Sequence, residues 1–327
     1  MKVLGVGLGA LAAAGTALAL AVGCGADPDS PSRPDRARAL ADSGGTSSGS
    51  ADDSDASPGQ DASVIVDAGT DADADTGPKP SAGCTSGKGI AEGQSTFQLG
   101  GRTRKFVVRL PVGYSKNEPW PVVFALHGNG GTIAEWDATT GIKNIRGELK
   151  NDAIVVMTEA IDGKWRDYAA APATWPARVE LELDYFDELV KRLTADLCVD
   201  ERAIFAMGFS GGGSFAGVLG CQRPYLRAFA AGGAVIYFDP KSCVGTPAAW
   251  VTISNGDLVA DREAFRDFFR GHAKCGTTSK PTPPSPPCVA YDGCGDATPV
   301  HYCGGYDGGH AWPSFGTAAM GSFFRAR

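Results

Sequence analysis

"AIFAMGFSGGGSFAGVLGC", residues 203–221, decides the fold. Its first half, Ala203–Phe209, is a short apolar run that suits a strand buried on both faces. Its second half, from Gly211, is a run of small residues that reads as a closely packed helix. Ser210 stands between the two, framed by Gly208 and Gly212. A tight strand-to-helix turn here forces the serine into a strained conformation, and the flanking glycines remove the side chains that would clash. The serine oxygen then stands at the carboxyl edge of the sheet, with the positive end of the following helix aimed at it. The Gly-x-Ser-x-Gly pattern alone is weak evidence in a chain with 45 glycines, and "GTSSG" at 45–49 matches it equally well. Ser47 has no strand before it and no helix after it, whereas Ser210 has both.

Strand and helix patterns alternate on either side of this stretch. "KFVVRLP" (105–111), "PVVFALHG" (121–128) and "AIVVMTEA" (153–160) read as strands before it. "AFAAGGAVIYF", "AAWVTISNGD" and a segment near 299–303 read as strands after it. Helices are expected at 179–197, 261–273 and 314–325. In the first, Val179, Leu183, Phe186, Val190, Leu193 and Leu197 step at helical spacing. That stripe is expected to be core, with Glu180, Glu182 and Asp184 among the residues filling the polar faces. The alternation predicts an α/β fold with a mostly parallel sheet flanked by helices.

Residues 1–23 carry one lysine and then a long apolar, alanine-rich run, which predicts a secretory signal. The run ends in "AVGC", so Cys24 is a candidate for lipidation. The expected location is a cell-surface or outer-membrane lipoprotein, or otherwise a secreted protein. Residues 24–82 hold twelve aspartates against Arg33, Arg36, Arg38 and Lys79, with few large apolar side chains. That composition predicts a disordered tether. The net charge of −7 belongs to this segment, which leaves 83–327 close to neutral and without a basic patch for nucleic acid. Setting Cys24 aside, Cys84, Cys198, Cys221, Cys243, Cys275, Cys288, Cys294 and Cys303 all fall in 83–327. An even set in an exported domain predicts up to four disulfides, and the absence of Cys-x-x-Cys spacing argues against zinc. The apolar content suits a monomeric core.

A nucleophilic serine needs a base and an acid. Of the four histidines, His310 in "YDGGHAWP" follows the last expected strand in a glycine-rich loop, late in the chain. His127 reads as a structural residue of "ALHGNGGT", and His272 and His301 as structural or surface residues. Asp257, directly after "AAWVTISNG", gives the order Ser210, Asp257, His310. Asp239 is a rival one strand earlier, Asp261 reads as a helix cap, and Asp307 shares the loop of His310. Backbone N–H groups of Asn129 or Gly130, with that of Gly211, are the candidates for an oxyanion hole. A phosphate loop is the competing reading of "HGNGGT", and it lacks the following Gly-Lys-Ser/Thr.

The chain resembles the secreted esterases that group feruloyl esterases with polyhydroxybutyrate depolymerases and acetylxylan esterases, within the α/β-hydrolase superfamily. The likeness runs through "RKFVVRLPVGY", "PVVFALHGNGG" and "AIFAMGFSGGG". It is most specific in "PCVAYDGCGDATPVHYCGGYDGGHAWPSFG". The resemblance implies Ser210, Asp257 and His310 as a triad and implies that the domain cysteines are disulfide-bonded. It departs before the acid, where "ISNGD" replaces the Ile-Ser/His-His-Gly of many relatives.

These readings predict an exported serine carboxylesterase that needs no metal or organic cofactor. Its expected substrate is a hydroxycinnamoyl ester of plant polysaccharide. Trp165, Tyr168, Trp175 and Trp312 are candidates for an aromatic cleft. Polyester depolymerase and acetylxylan esterase are the enzymatic alternatives, and an inactive carbohydrate-binding surface module is the non-enzymatic one.

Overall fold

The computed structural model describes residues 77–167 and 175–327. The expected signal, most of the expected tether, Cys24, Ser47 and Tyr168 lie outside the described residues. The elements follow in order: α1 (Gly83–Ser86), β1 (Gly93–Leu99), β2 (Arg102–Arg109), β3 (Trp120–Leu126), α2 (Ile145–Glu148) and β4 (Ile154–Thr158). Next come α3 (Trp175–Asp196), β5 (Val199–Phe209), α4 (Gly211–Gln222), β6 (Ala228–Gly232) and β7 (Ala248–Asn255). The chain closes with α5 (Val259–His272), β8 (Ser279–Pro281), β9 (Cys288–Tyr291), β10 (Val300–Asp307) and α6 (Gly316–Arg325).

The strands form one sheet in the order β1-β2-β4-β3-β5-β6-β7-β10-β9-β8. The six from β4 to β10 run parallel, and antiparallel strands extend both edges. This is the expected mostly parallel α/β sheet. The central strands are apolar on both faces because each face meets helices. In β3, Val122, Phe124 and Leu126 point into one core with Leu183 and Phe186 of α3, Phe215 of α4 and Phe265 of α5. Val123 and Ala125 point into the other, with Ile145 of α2 and Phe323 and Phe324 of α6. Full burial of such side chains is worth about 1.5–3 kcal/mol each.

Several expectations change in detail. The folded part reaches back past the expected boundary at 83. The Lys79 N–H donates to Asp200 Oδ1 at 2.9 Å, and the Ser81 N–H donates to the Val199 carbonyl. The α3 stripe is not uniformly core. Leu183, Phe186 and Leu193 are buried, while Val179 and Val190 are half-buried. Glu182, expected on the polar face, is fully buried and paired with Arg104 at 2.5 Å. Asp261 does not cap α5, which starts at Val259 after Leu258 and has Asp261 inside its first turn. Three disulfides form, Cys84–Cys198, Cys275–Cys294 and Cys288–Cys303. Cys221 and Cys243 stand beside each other as thiols.

Candidate active site

The sheet reverses its direction of growth between β3 and β5, so a crevice opens at their carboxyl ends, where ligands bind in open α/β sheets. Four loops meet there: 127–132 after β3, the turn at Ser210 after β5, Gly233 after β6 and Asp257 after β7. The loop after β10 brings His310.

Ser210 has φ 57° and ψ −122°, a region that side chains rarely occupy. The glycines around it explain how the turn survives. A Cβ on Gly208 would lie 2.5 Å from the Gly212 carbonyl carbon, and one on Gly212 would lie 2.5 Å from the His127 carbonyl oxygen. The Ser210 N–H donates to the Gly232 carbonyl at 2.8 Å, which fixes the turn to β6.

The structure brings Ser210, His310 and Asp257 together. Ser210 Oγ is 2.9 Å from His310 Nε2, and His310 Nδ1 is 2.8 Å from Asp257 Oδ1. Asp257 is buried and His310 is exposed. Burial pushes the Asp257 carboxyl up, but hydrogen bonds and charge from Arg262 and His310 outweigh it and hold the group below the usual carboxylate range. An ionised Asp257 accepts from Nδ1–H, which leaves Nε2 to accept from the serine hydroxyl. The His310 loop is held by Ser254 Oγ, which donates to the Gly309 carbonyl, and by Asn255 Nδ2, which donates to Asp307 Oδ1 at 3.0 Å.

The other histidines and acids take structural places. His127 Nδ1 faces the Gly128 carbonyl at 2.7 Å, and Nε2 accepts from the Ala160 N–H at 3.1 Å. His272 bonds the Gly245 carbonyl at 2.8 Å. His301 packs on Phe323, and burial, with the charge of Arg327, pulls its pKa down to about 4. Asp239 accepts from the Lys241 N–H at 3.0 Å in a turn of its own.

The oxyanion candidates narrow. The Gly130 N–H already donates to the Gly163 carbonyl at 2.8 Å, which removes it from the donor set. Asn129 packs directly on Gly211, at the first turn of α4. Glu135 braces this loop, accepting from the Gly128 N–H at 2.9 Å and pairing with Lys143 at 2.5 Å.

Two of the expected cleft aromatics are core instead. Trp165 is fully buried against Phe186 and Phe215, and its Nε1–H donates to the His127 carbonyl at 2.7 Å. Trp312 packs between Trp136, Trp250 and Phe209 and donates to Thr317 Oγ1 at 3.1 Å. Trp175 does line a groove of about 450 Å³ with Arg166, Val179, Leu183, Tyr237 and Phe238. The Arg166 guanidinium lies over both Trp175 (4.2 Å) and Tyr237 (3.9 Å). The groove is continuous in chain with the site: Gly233 packs against His310, the Val235 N–H donates to Ser214 Oγ at 2.9 Å, and Ile236 to Asp239 line the wall.

Arg262 was not anticipated. It reads in sequence as a base on a helix, and no local pattern marks it. The structure buries it between Asp257, Gly233 and His310.

Comparison with known proteins agrees with this architecture. Feruloyl esterase D of Neurospora crassa is 27% identical over 154 residues, 44% of this chain, and the chain spans 50% of that relative's length. A probable feruloyl esterase C of Aspergillus niger is 26% identical over 243 residues, covering 70% of this chain and 83% of the relative. Among solved structures, a ferulic acid esterase matches with a TM-score of 0.50 at 19% identity, covering 72% of this chain and 97% of its own. A ferulic acid esterase from Anaeromyces mucronatus, solved without substrate, matches with a TM-score of 0.50 at 14% identity over 75% of this chain and 94% of its own. These structures share the α/β-hydrolase fold. The sequence model of a family described as putative esterase matches residues 98–262, half of the chain, and the chain belongs to that putative esterase family of carboxylic ester hydrolases.

Proposed function

We propose that the chain is a serine carboxylesterase with Ser210 as nucleophile, His310 as base and Asp257 as the acid that orients it. The observation that carries this reading is the unbroken hydrogen-bonded series Ser210 Oγ, His310 Nε2, His310 Nδ1, Asp257 Oδ1. Ser210 Oγ attacks the ester carbonyl while His310 takes its proton, and the tetrahedral oxyanion is met by the N–H groups of Gly211 and Asn129 at the positive end of α4. His310 then protonates the departing alcohol. Water, deprotonated by the same imidazole, releases the acid from the acyl-enzyme and restores Ser210.

The substrate class we favour is a hydroxycinnamoyl ester of plant polysaccharide. It is supported by the feruloyl esterase names of the relatives and by the aromatic lining, Trp175, Tyr237 and Phe238, of the groove. The three disulfides fit an oxidising compartment. We place the chain outside the cytoplasm, with 1–23 as export signal and Cys24 as lipid attachment, which a mass spectrum of the mature N-terminus tests directly.

Hydrolysis of methyl ferulate and of 4-nitrophenyl acetate by the wild type, beside Ser210→Ala, tests the enzymatic reading. Turnover of both esters by the wild type alone is the expected result. Cleavage of the acetate without the ferulate would keep the nucleophile and move the substrate to short acyl or polyester chains. Full activity in Ser210→Ala would overturn the triad.

A further inference from the structure

Arg262 is a buried cation in the first turn of α5, the end of a helix where positive charge is unfavourable. Its placement therefore needs another explanation, and its contacts supply one. Nε donates to the Asp257 carbonyl at 2.8 Å, Nη2 donates to Asp257 Oδ1 at 2.8 Å, and Nη1 donates to the Gly233 carbonyl. Nη2 also lies 3.2 Å from His310 Nδ1. One guanidinium thus joins the loops after β6, β7 and β10. Asp257 Oδ1 takes hydrogen bonds from Arg262 and His310 at once.

We infer that Arg262 is the positioning residue that keeps the Asp257 carboxylate aimed at His310, by tying the loops after β6 and β7 to one buried guanidinium beside the imidazole. The inference rests on the reading of Ser210, His310 and Asp257 as a triad. The groups that face Asp257 are Arg262 from α5, His310 from the loop after β10 and Tyr306 from β10. Burial works against the carboxylate, and without Arg262 only the His310 hydrogen bond resists it.

The test is kcat and KM on 4-nitrophenyl acetate at neutral pH for wild type, Arg262→Gln, Arg262→Lys and Ser210→Ala, with folding checked by thermal unfolding. A misaimed Asp257 is expected to lower kcat in Arg262→Gln by about 10- to 100-fold, with KM near wild type. Arg262→Lys, which keeps the charge without the fork, should recover part of that loss. If Arg262→Gln does not fold, a lowered kcat at unchanged KM in Arg262→Lys is the supporting result. A kcat equal to wild type in the folded variants, with Ser210→Ala inactive, overturns the role of Arg262 and leaves the triad standing. Activity in Ser210→Ala overturns both.

Discussion

Gly212 packs so tightly under β3 that a Cβ there would run into the carbonyl oxygen of Leu126. The contact sets how closely α4 approaches the sheet, and α4 carries Ser210 at its start. Gly212→Ala is expected to push the helix outward by a fraction of its own radius and to displace the serine with it. A displacement near 1 Å costs a reaction about 100-fold in rate. We expect kcat to fall by about that factor, with a lower melting temperature. Wild-type values for both would show that the packing has slack.

Ser210 itself holds a strained backbone, at φ 57° and ψ −122°. Such a residue costs about 1–3 kcal/mol, while glycine adds about 0.5–1 kcal/mol of unfolded-state entropy. Ser210→Gly and Ser210→Ala should both be inactive, with the glycine variant the more stable by about 1 kcal/mol. Chemical denaturation of the two proteins side by side checks this, and an alanine variant of equal or greater stability would contradict it.

On the proposed reading, the groove holds the acyl group apart from the chemistry at Ser210. Tyr237 and Trp175 line it, and neither touches Ser210, His310 or Asp257 in the contacts described above. Tyr237→Ala is expected to raise KM for methyl ferulate about tenfold, the equivalent of an aromatic contact worth about 1.4 kcal/mol. The same variant should hydrolyse 4-nitrophenyl acetate at near the wild-type rate. An equal loss on both esters would place Tyr237 in the general support of the fold.

Behind the glycine-rich loop, Glu182 and Arg104 form a buried brace. Glu182 accepts from the Ile161 N–H at 2.9 Å, and Gly163, two residues on, holds Gly130. Burial pushes the Glu182 carboxyl up, and Arg104, the Ile161 N–H and Arg178 oppose it. Arg104→Met removes the main opposition and leaves a buried carboxylate, a loss of about 3–5 kcal/mol at neutral pH. The raised carboxyl takes up a proton as pH falls, and a neutral Glu182 is cheaper to bury. The deficit against wild type should therefore shrink toward about pH 5. Urea midpoints at the two pH values measure it, and a deficit that stayed constant would show that Glu182 is not the group left stranded.

The thiols offer a fifth check. The hydrogen bond from Cys221 pulls the Cys243 thiol down against the effect of burial, while that same bond, with burial, pushes Cys221 up. Cys243 is half-buried and Cys221 buried. Brief alkylation of the folded protein followed by peptide mapping should label Cys243 and spare Cys221. The reverse preference would mean the proton sits on the other sulfur.

Sequence reasoning located the parts of the site that depend on local pattern. Ser210 is marked by a strand, a turn and a helix in nineteen consecutive residues, and Asp257 and His310 by their places after later strands. It failed where meaning comes from contacts distant in sequence. Trp165 and Trp312 look alike on paper to Trp175, and only their neighbours make them core. Gly130 loses its N–H to Gly163, a residue in a different loop. Arg262 and Glu182 sit on helices among other charged residues, and burial singles them out only once the sheet has formed. The short strands β8 and β9, at three and four residues, carry too little alternation to be read.

The chain joins the fold at the start of β5, where Lys79 and Ser81 pair with Asp200 and Val199. Ser210 stands at the finish of the same 11-residue strand, roughly 30 Å along at about 3.3 Å per residue. Lys79 and Ser210 therefore stand at opposite ends of one strand, so the contacts that pin the backbone at 79–81 and the reactive turn are set by the two poles of β5.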